Sequence, residues 1–138
     1  QWPITWLQQA PARLVELAEA RLMGEPVTES EIAEALEPLL SQPGVEAMDA
    51  LVLACTHFPL LSDLIGAVVG PGVTLVDSGS AVARQALRIL AASSATPAER
   101  IESHSIFVTS SDARAEQVTA CLIRNGFAGP SKLLALPA

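Results

Sequence analysis

The chain has 138 residues, half of them hydrophobic and few of them aromatic, and its formal net charge is −7. This length is sufficient for a domain with its own core, but no apolar run is long enough to span a bilayer. The negative charge argues against binding to nucleic acids or anionic membranes, and two cysteines without a disulfide framework favour a reducing, cytoplasmic location.

The N-terminal part of the chain predicts two amphipathic helices. Apolar residues at helical spacing run from Leu14 to Leu22, and Gly24 with Pro26 ends this pattern. The segment from Thr28 to Glu31 has the form of a capping box and opens a second helix, in which Pro38 is expected to introduce a kink or a weak point. The apolar stripe of this helix comprises Ile32, Ala35, Leu36, Leu39 and Leu40.

Strands alternate with helices along the rest of the chain. We predict strands at Ala50 to Ala54, Val73 to Val76, Ser105 to Thr109 and Leu133 to Leu136. The first two show little alternation, as expected for strands that are covered on both faces. The intervening helices are marked by Leu60, Leu61, Leu64, Ile65 and Val68, then by Val82, Ala83, Ala86, Leu87, Ile89 and Leu90, and finally by Ala115, Val118, Leu122 and Ile123. This order predicts an α/β fold with a parallel sheet flanked by helices.

The ends of these later helices carry their own signals. Ser80 and Ser111 are predicted to cap the second and third of them, and Asn125 with Gly126 closes the last. Residues 91–98 predict a surface loop, because Ser, Ala and Pro dominate there.

Cys55, Thr56 and His57 directly follow the first predicted strand, and Pro59 opens the next helix. Ligands of parallel sheets bind at the carboxyl ends of the strands. The amides and positive dipole end of a helix favour negative charge, so a thiol there ionises more easily and a carboxylate is held nearby. The segment therefore predicts an acid/base thiol at Cys55, a carboxylate contact at Thr56 and a proton partner of the thiol at His57.

Each of these residues also has a purely structural interpretation. Cys55 fits a small buried hydrophobe, Thr56 a helix cap and His57 a surface polar residue. A zinc site needs more ligands than Cys55 and His57 supply, and a metal role for His104 has little support, so no metal is predicted. The glycines follow no nucleotide-binding pattern.

Other titratable residues are assigned to structure. Cys121 falls between apolar positions of the last helix and is expected to pack in the core. Asp77 is interpreted as a turn or capping residue, and Asp112 as a charge at a helix N-terminus. The glutamates at positions 29, 31, 34 and 37 are expected on the solvated face of their helix.

The segment from Cys55 to Leu61, Cys-Thr-His-Phe-Pro-Leu-Leu, resembles the C-terminal signature of glutamate racemases, in the Asp/Glu racemase superfamily. Weaker resemblances to the family cover Gln9 to Glu19, Gly72 to Gly79 and Ile106 to Asp112. Ala54 stands where the family usually has glycine. The chain begins at Gln1 without methionine, and the family's first cysteine, with its Asn-Thr pair and Asp-Ser-Gly start, is absent. We therefore expect the C-terminal half of a two-lobed racemase.

This resemblance implies a cofactor-independent interconversion of L- and D-glutamate that supplies D-glutamate for peptidoglycan. The family uses two cysteines, one on each side of the α-carbon. Cys55 would be the acid/base on the L-glutamate face, Thr56 would bind substrate, and His57 would tune Cys55 and contact the substrate. Residues 1–77 would be part of the second lobe, and residues 78–138 would be the part of the chain that returns to the first lobe.

The resemblance also implies partners. These are glutamate and the N-terminal half of the enzyme, and a homodimer is another way to cover exposed sheet edges. Without a partner the chain is expected to be inactive. Two alternatives remain, namely another racemase or a decarboxylase of the same superfamily, and a non-catalytic α/β domain in which Cys55 only packs. His57 after Cys55 and Thr56 favours the glutamate enzyme.

Overall fold

The computed structural model describes residues 4–92, 106–108, 112–124, 126–127 and 131–133, and its elements confirm the α/β class. The helices are α1 (Ala12–Met23), α2 (Glu29–Leu40), α3 (Ser62–Val69), α4 (Gly79–Ala92) and α5 (Ala113–Arg124). The strands are β1 (Ala50–Val52), β2 (Thr74–Val76), β3 (Ile106–Val108) and β4 (Ser131–Leu133). Short 3₁₀ turns lie at Val45–Ala47 and Phe58–Leu61. The chain forms two compact units, Gln1–Gln85 and Ala86–Ala138.

The predicted boundaries of the first two helices are confirmed. α1 ends at Gly24, whose φ of 88° is the left-handed conformation that glycine adopts most easily. Thr28 and Glu31 form the predicted capping box, in which each side chain accepts a hydrogen bond from the backbone N–H of the other residue, at 3.3 and 3.0 Å. Pro38 lies inside α2, which nevertheless continues to Leu40.

One hydrophobic core holds α1, α2 and α3 together in the first unit. Its buried members are Leu14, Leu17, Ala18, Ile32, Ala35, Leu36, Leu39, Leu53, Leu61 and Ile65. Full burial of each leucine or isoleucine side chain contributes roughly 1.5–3 kcal/mol relative to exposure. Because Leu61 and Ile65 are fully buried, this core fixes the segment after Cys55 against α1.

Within the part of the chain that the structure describes, the strands pair in parallel, as predicted, but in two separate sheets of two strands each. β1 pairs with β2 in the register Leu51↔Leu75, and β3 pairs with β4 in the register Phe107↔Lys132. The order β1–β2 and β3–β4 places one sheet in each compact unit.

The structure corrects three details of the strand predictions. β1 ends at Val52 rather than Ala54, although the Leu53 N–H still donates to the Val76 carbonyl at 2.8 Å. Val52 and Val76 are 53% and 44% exposed, so these strands are not covered on both faces. β4 begins at Ser131, two residues before the predicted strand, and residues 134–136 of that prediction lie outside the described part of the chain. Residues 105 and 109, the predicted ends of β3, also lie outside it.

An aspartate side chain accepts a backbone hydrogen bond at the start of α4, and another does so at the start of α5. Asp77 Oδ1 accepts a hydrogen bond from the Gly79 N–H at 2.6 Å, which confirms its turn role. Ser80 is not the cap, because α4 already begins at Gly79. Asp112 Oδ1 accepts from the Ala115 N–H at 2.8 Å, as expected of a carboxylate at a helix N-terminus. Ser111 and Asn125 lie outside the described residues, and Gly126 follows α5 with a φ of 91°.

α4 presents an apolar face to solvent. Val82, Leu87, Ile89 and Leu90 are 60–67% exposed, and no residue of α4 is buried. At helical spacing these four side chains share one side of the helix, which we call the α4 apolar face, and Arg84 and Arg88 lie opposite. α4 also extends to Ala92, so the predicted loop loses its first two residues to the helix, and residues 93–98 lie outside the described range.

Among the described residues, no helix is long and apolar enough to cross a membrane.

Candidate functional site

Cys55, Thr56 and His57 form the turn that connects β1 to the 3₁₀ turn at Phe58–Leu61. A helix begins beside the thiol, as predicted, but its first turn is the 3₁₀ turn at Phe58–Leu61, and α3 starts only at Ser62. The N–H groups of Phe58 and Leu60 donate to the carbonyls of Cys55 and His57, at 3.3 and 3.0 Å. These two amides are therefore engaged within the turn and are not a cradle for a ligand carboxylate.

The turn places the cysteine and histidine side chains in contact. Cys55 Sγ lies 3.7 Å from His57 Nδ1, within the distance of a weak hydrogen bond to sulfur. On the other side of the ring, His57 Nε2 lies 3.8 Å from Glu19 Oε1. Cys55, His57 and Glu19 therefore form a line of three titratable side chains, which we call the thiol line.

The thiol line has an order that suits proton transfer. A carboxylate beside Nε2 favours a proton on that nitrogen, which leaves Nδ1 free to accept the proton of the Cys55 thiol. The predicted pairing of Cys55 with His57 is thus present, and the structure adds Glu19.

Glu19 was not predicted as a site residue. It lies on α1 beside the buried Ala18, in the segment Gln9 to Glu19 that resembles the racemase family, yet its own sequence context is that of an ordinary helix glutamate. Only the packing of α1 against the 3₁₀ turn brings it to His57. The sequence shows only an acidic residue next to a buried helix position, and this pattern does not indicate that His57 is its contact.

The site lies at the surface of its compact unit. Cys55 is half-buried, Thr56 is exposed, and the side chains of His57 and Glu19 are 38% and 33% exposed. A cavity of about 40 Å³ lies nearby and is lined by residues that include Leu14, Leu53 and Phe58. It is apolar, it is too small for an amino acid, and its lining does not include the motif's polar residues.

The remaining candidates are placed as structural residues or fall outside the described chain. Cys121 is 1% exposed on α5, which confirms the packing interpretation. His104 lies outside the described residues. Within the described ranges, no group of three or more His, Cys, Asp or Glu side chains has the arrangement of a metal site.

The difference in exposure between the two cysteines predicts a difference in reactivity. With iodoacetamide at neutral pH, we expect Cys55 to be alkylated at least about tenfold faster than Cys121, because the Cys55 thiol is only half-buried and contacts an imidazole, whereas Cys121 is buried. Mass mapping after brief labelling measures both rates. The His57→Asn variant should slow Cys55 alone, and the two rates should converge in denaturant. Equal or faster labelling of Cys121 in the folded chain would contradict the assignment.

Comparison with known sequences finds glutamate racemases, whereas no family model matches. The enzymes of Klebsiella pneumoniae and Salmonella typhi are each 41% identical over 122 residues, which cover 88% of this chain and 42% of the relative. The predicted resemblance is therefore confirmed over most of the chain.

Solved structures agree with the sequence comparison. Escherichia coli glutamate racemase, in complex with L-glutamate and the activator UDP-MurNAc-Ala, matches with a TM-score of 0.76 and 39% identity, over 91% of this chain and 46% of that one. An isoform of glutamate racemase from Bacillus anthracis matches with a TM-score of 0.65 and 27% identity, over 90% and 44%. The chain spans less than half the length of the relatives it matches, as expected for the C-terminal half.

Proposed function

We propose that this chain is the C-terminal half of a glutamate racemase and that Cys55 exchanges a proton with the α-carbon of glutamate. The observation that carries this proposal is the thiol line, in which a half-buried cysteine at a strand end contacts a histidine that is itself paired with a carboxylate. The similarity to glutamate racemases, one of which is described with L-glutamate, supports glutamate as the substrate.

The proposed reaction begins with the thiolate of Cys55. His57 accepts the thiol proton at Nδ1, and Glu19 stabilises the charge that this places on the ring. The thiolate removes the α-proton, so the C–H bond breaks and its electron pair remains on the α-carbon, next to the carboxylate. An acid on the opposite face then donates a proton to that carbon and inverts it. In the reverse direction, Cys55 returns the proton.

The other side chains of the turn are assigned to substrate contact. Thr56 is exposed beside Cys55, where its hydroxyl or amide is available to the substrate carboxylate. His57, 38% exposed, would contact the substrate as well as the thiol. The reaction as proposed requires no cofactor and no metal, and D-glutamate made in the cytoplasm would be used for peptidoglycan.

The acid on the opposite face is proposed to come from the N-terminal half of the enzyme. Three observations support a missing covering part, namely the surface position of the thiol line, the exposed α4 apolar face, and relatives more than twice as long as the matched segment. On this proposal, residues 1–77 contribute to the second lobe of the enzyme and residues 78–138 return to the first. A homodimer would cover apolar surface without supplying the family's first cysteine.

The substrate assignment is tested with a chimaera. The part of E. coli glutamate racemase that has no counterpart in this chain is joined to this chain, and racemisation of L-glutamate and L-aspartate is followed by circular dichroism. We expect kcat/KM for glutamate to exceed that for aspartate about 10- to 200-fold, because the two substrates differ by one methylene. A folded chimaera that prefers aspartate, or that racemises neither substrate, would contradict the proposal.

A further inference from the structure

A second polar contact joins α1 to the segment that follows the site. Arg21 Nη1 donates to Asp63 Oδ1 at 2.6 Å, and Arg21 Nη2 donates to Asp63 Oδ2 at 2.7 Å. Both terminal nitrogens of the guanidinium are therefore paired with the two oxygens of one carboxylate, which fixes orientation as well as distance. The contact ties the last turn of α1 to the first turn of α3.

Arg21 lies on the same helix as Glu19. Its partner Asp63 lies in the segment 57–63, which also contains His57. Leu14, Leu17 and Ala18 form the buried stripe of α1, and helical spacing places Arg21 one turn further along that stripe. Glu19 lies two residues before Arg21 and therefore on a different side of α1. α1 thus meets the 57–63 segment through one tight contact at Asp63 and one loose contact at His57.

The contact between Glu19 and His57 is the one that is sensitive to the position of α1. At 3.8 Å, Glu19 Oε1 is too far from His57 Nε2 for a good hydrogen bond. A displacement of α1 by about 1 Å would either form that bond or lose it. The side chains of Arg21 and Asp63 are 36% and 64% exposed, so their pair adds little to overall stability. The buried core already holds α1 against this segment, and the ion pair adds a directional contact at the last turn of the helix.

The electrostatics keep this pair formed at neutral pH. The hydrogen bond from Arg21 lowers the pKa of the Asp63 carboxyl, which also lies in the first turn of α3, where negative charge is favourable. The same hydrogen bond raises the pKa of Arg21. Protonation of Asp63 therefore requires a more acidic solution than an isolated carboxyl would.

We propose that Arg21 and Asp63 are positioning residues that hold Glu19 at His57 and thereby set the reactivity of the Cys55 thiol. The kinetic consequence rests on the proposed function, since a less reactive thiol would slow racemisation. The effect on the thiol itself does not depend on that function, because it is present in the chain alone.

The test is the alkylation rate of Cys55 in the folded chain, with iodoacetamide as the probe. We expect Asp63→Asn, Arg21→Gln and Glu19→Gln each to slow alkylation of Cys55 by about three- to tenfold. Asp63→Asn should have no further effect in the Glu19→Gln background, since both act through His57. Arg13→Gln is the matched control, because Arg13 also lies on α1 and makes its ion pairs with Glu16 of α1 and Glu31 of α2, away from the site.

Two further variants separate positioning from damage to the fold. Arg21→Lys keeps the charge without the two-pronged geometry and should give an intermediate rate. Exchange of the pair, Arg21→Asp with Asp63→Arg, should restore the rate lost in the single variants. The inference would be overturned if Cys55 were labelled at the wild-type rate in Asp63→Asn, or if the effects of Asp63→Asn and Glu19→Gln on that rate were additive. It would also be overturned if Arg13→Gln slowed the labelling of Cys55 as much as Asp63→Asn does. Racemisation by the chimaera is scored separately, so failure of the proposed function is distinguishable.

Discussion

Replacement of Cys55 by serine in the chimaera is expected to reduce kcat for racemisation of glutamate about 10²- to 10⁴-fold, the usual contribution of a positioned acid or base. A hydroxyl is much harder to ionise than a thiol, so the serine cannot take the α-proton at neutral pH. The volume change is small and Cys55 is only half-buried, so the fold should be retained. Circular dichroism of both enantiomers as starting material measures the loss in each direction.

The matched control for this substitution is Cys121→Ala. Cys121 is 1% exposed on α5, so its replacement should lower the free energy of unfolding by about 1 kcal/mol and leave kcat nearly unchanged. A Cys55→Ser chimaera that keeps activity within about tenfold of the parent would remove the thiol from the mechanism.

The chain without a partner is expected not to racemise glutamate. Its two cysteines are Cys55, which lies in the thiol line, and Cys121, which is buried on α5. One face of the substrate therefore has no acid or base, and proton removal by Cys55 cannot lead to inversion. Chiral chromatography after prolonged incubation of the purified chain with L-glutamate measures the product.

The chimaera at the same concentration is the positive control for this experiment. Turnover by the chain alone at about 1 per second or faster would show that a single half suffices. Detritiation of labelled L-glutamate without D-glutamate would instead agree with the account, because Cys55 is present and the opposing acid is not.

Local signals in the sequence predicted most of the first compact unit. The capping box at Thr28 and Glu31 and the glycine at position 24 specify helix ends through neighbouring residues, and both are present as predicted. The contact of Cys55 with His57 is similarly local, since only Thr56 lies between them. Such features depend on short-range geometry, which the sequence determines directly.

Features that depend on distant packing were missed. Glu19 and His57 are far apart in sequence, and their contact arises from the way α1 packs on the 3₁₀ turn. Phe58 to Leu61 has apolar spacing that fits either helix type, and Pro59 in the first turn is compatible with both, so the sequence does not specify a 3₁₀ turn there. The exposure of Val52, Val76 and the α4 apolar face reflects what surrounds them, and hydrophobic patterns alone do not reveal which partner is present.

Racemisation of L-glutamate by the chimaera in D₂O tests most directly whether Cys55 acts as a proton-transfer residue of a glutamate racemase. In the proposed reaction, the α-proton leaves on one face and a solvent-derived deuteron arrives on the other, so each D-glutamate formed carries one α-deuterium. Mass spectrometry of the separated enantiomers measures it, and Cys55→Ser should abolish it. D-glutamate that retains the original α-proton, or deuterium incorporation unchanged by Cys55→Ser, would contradict the account.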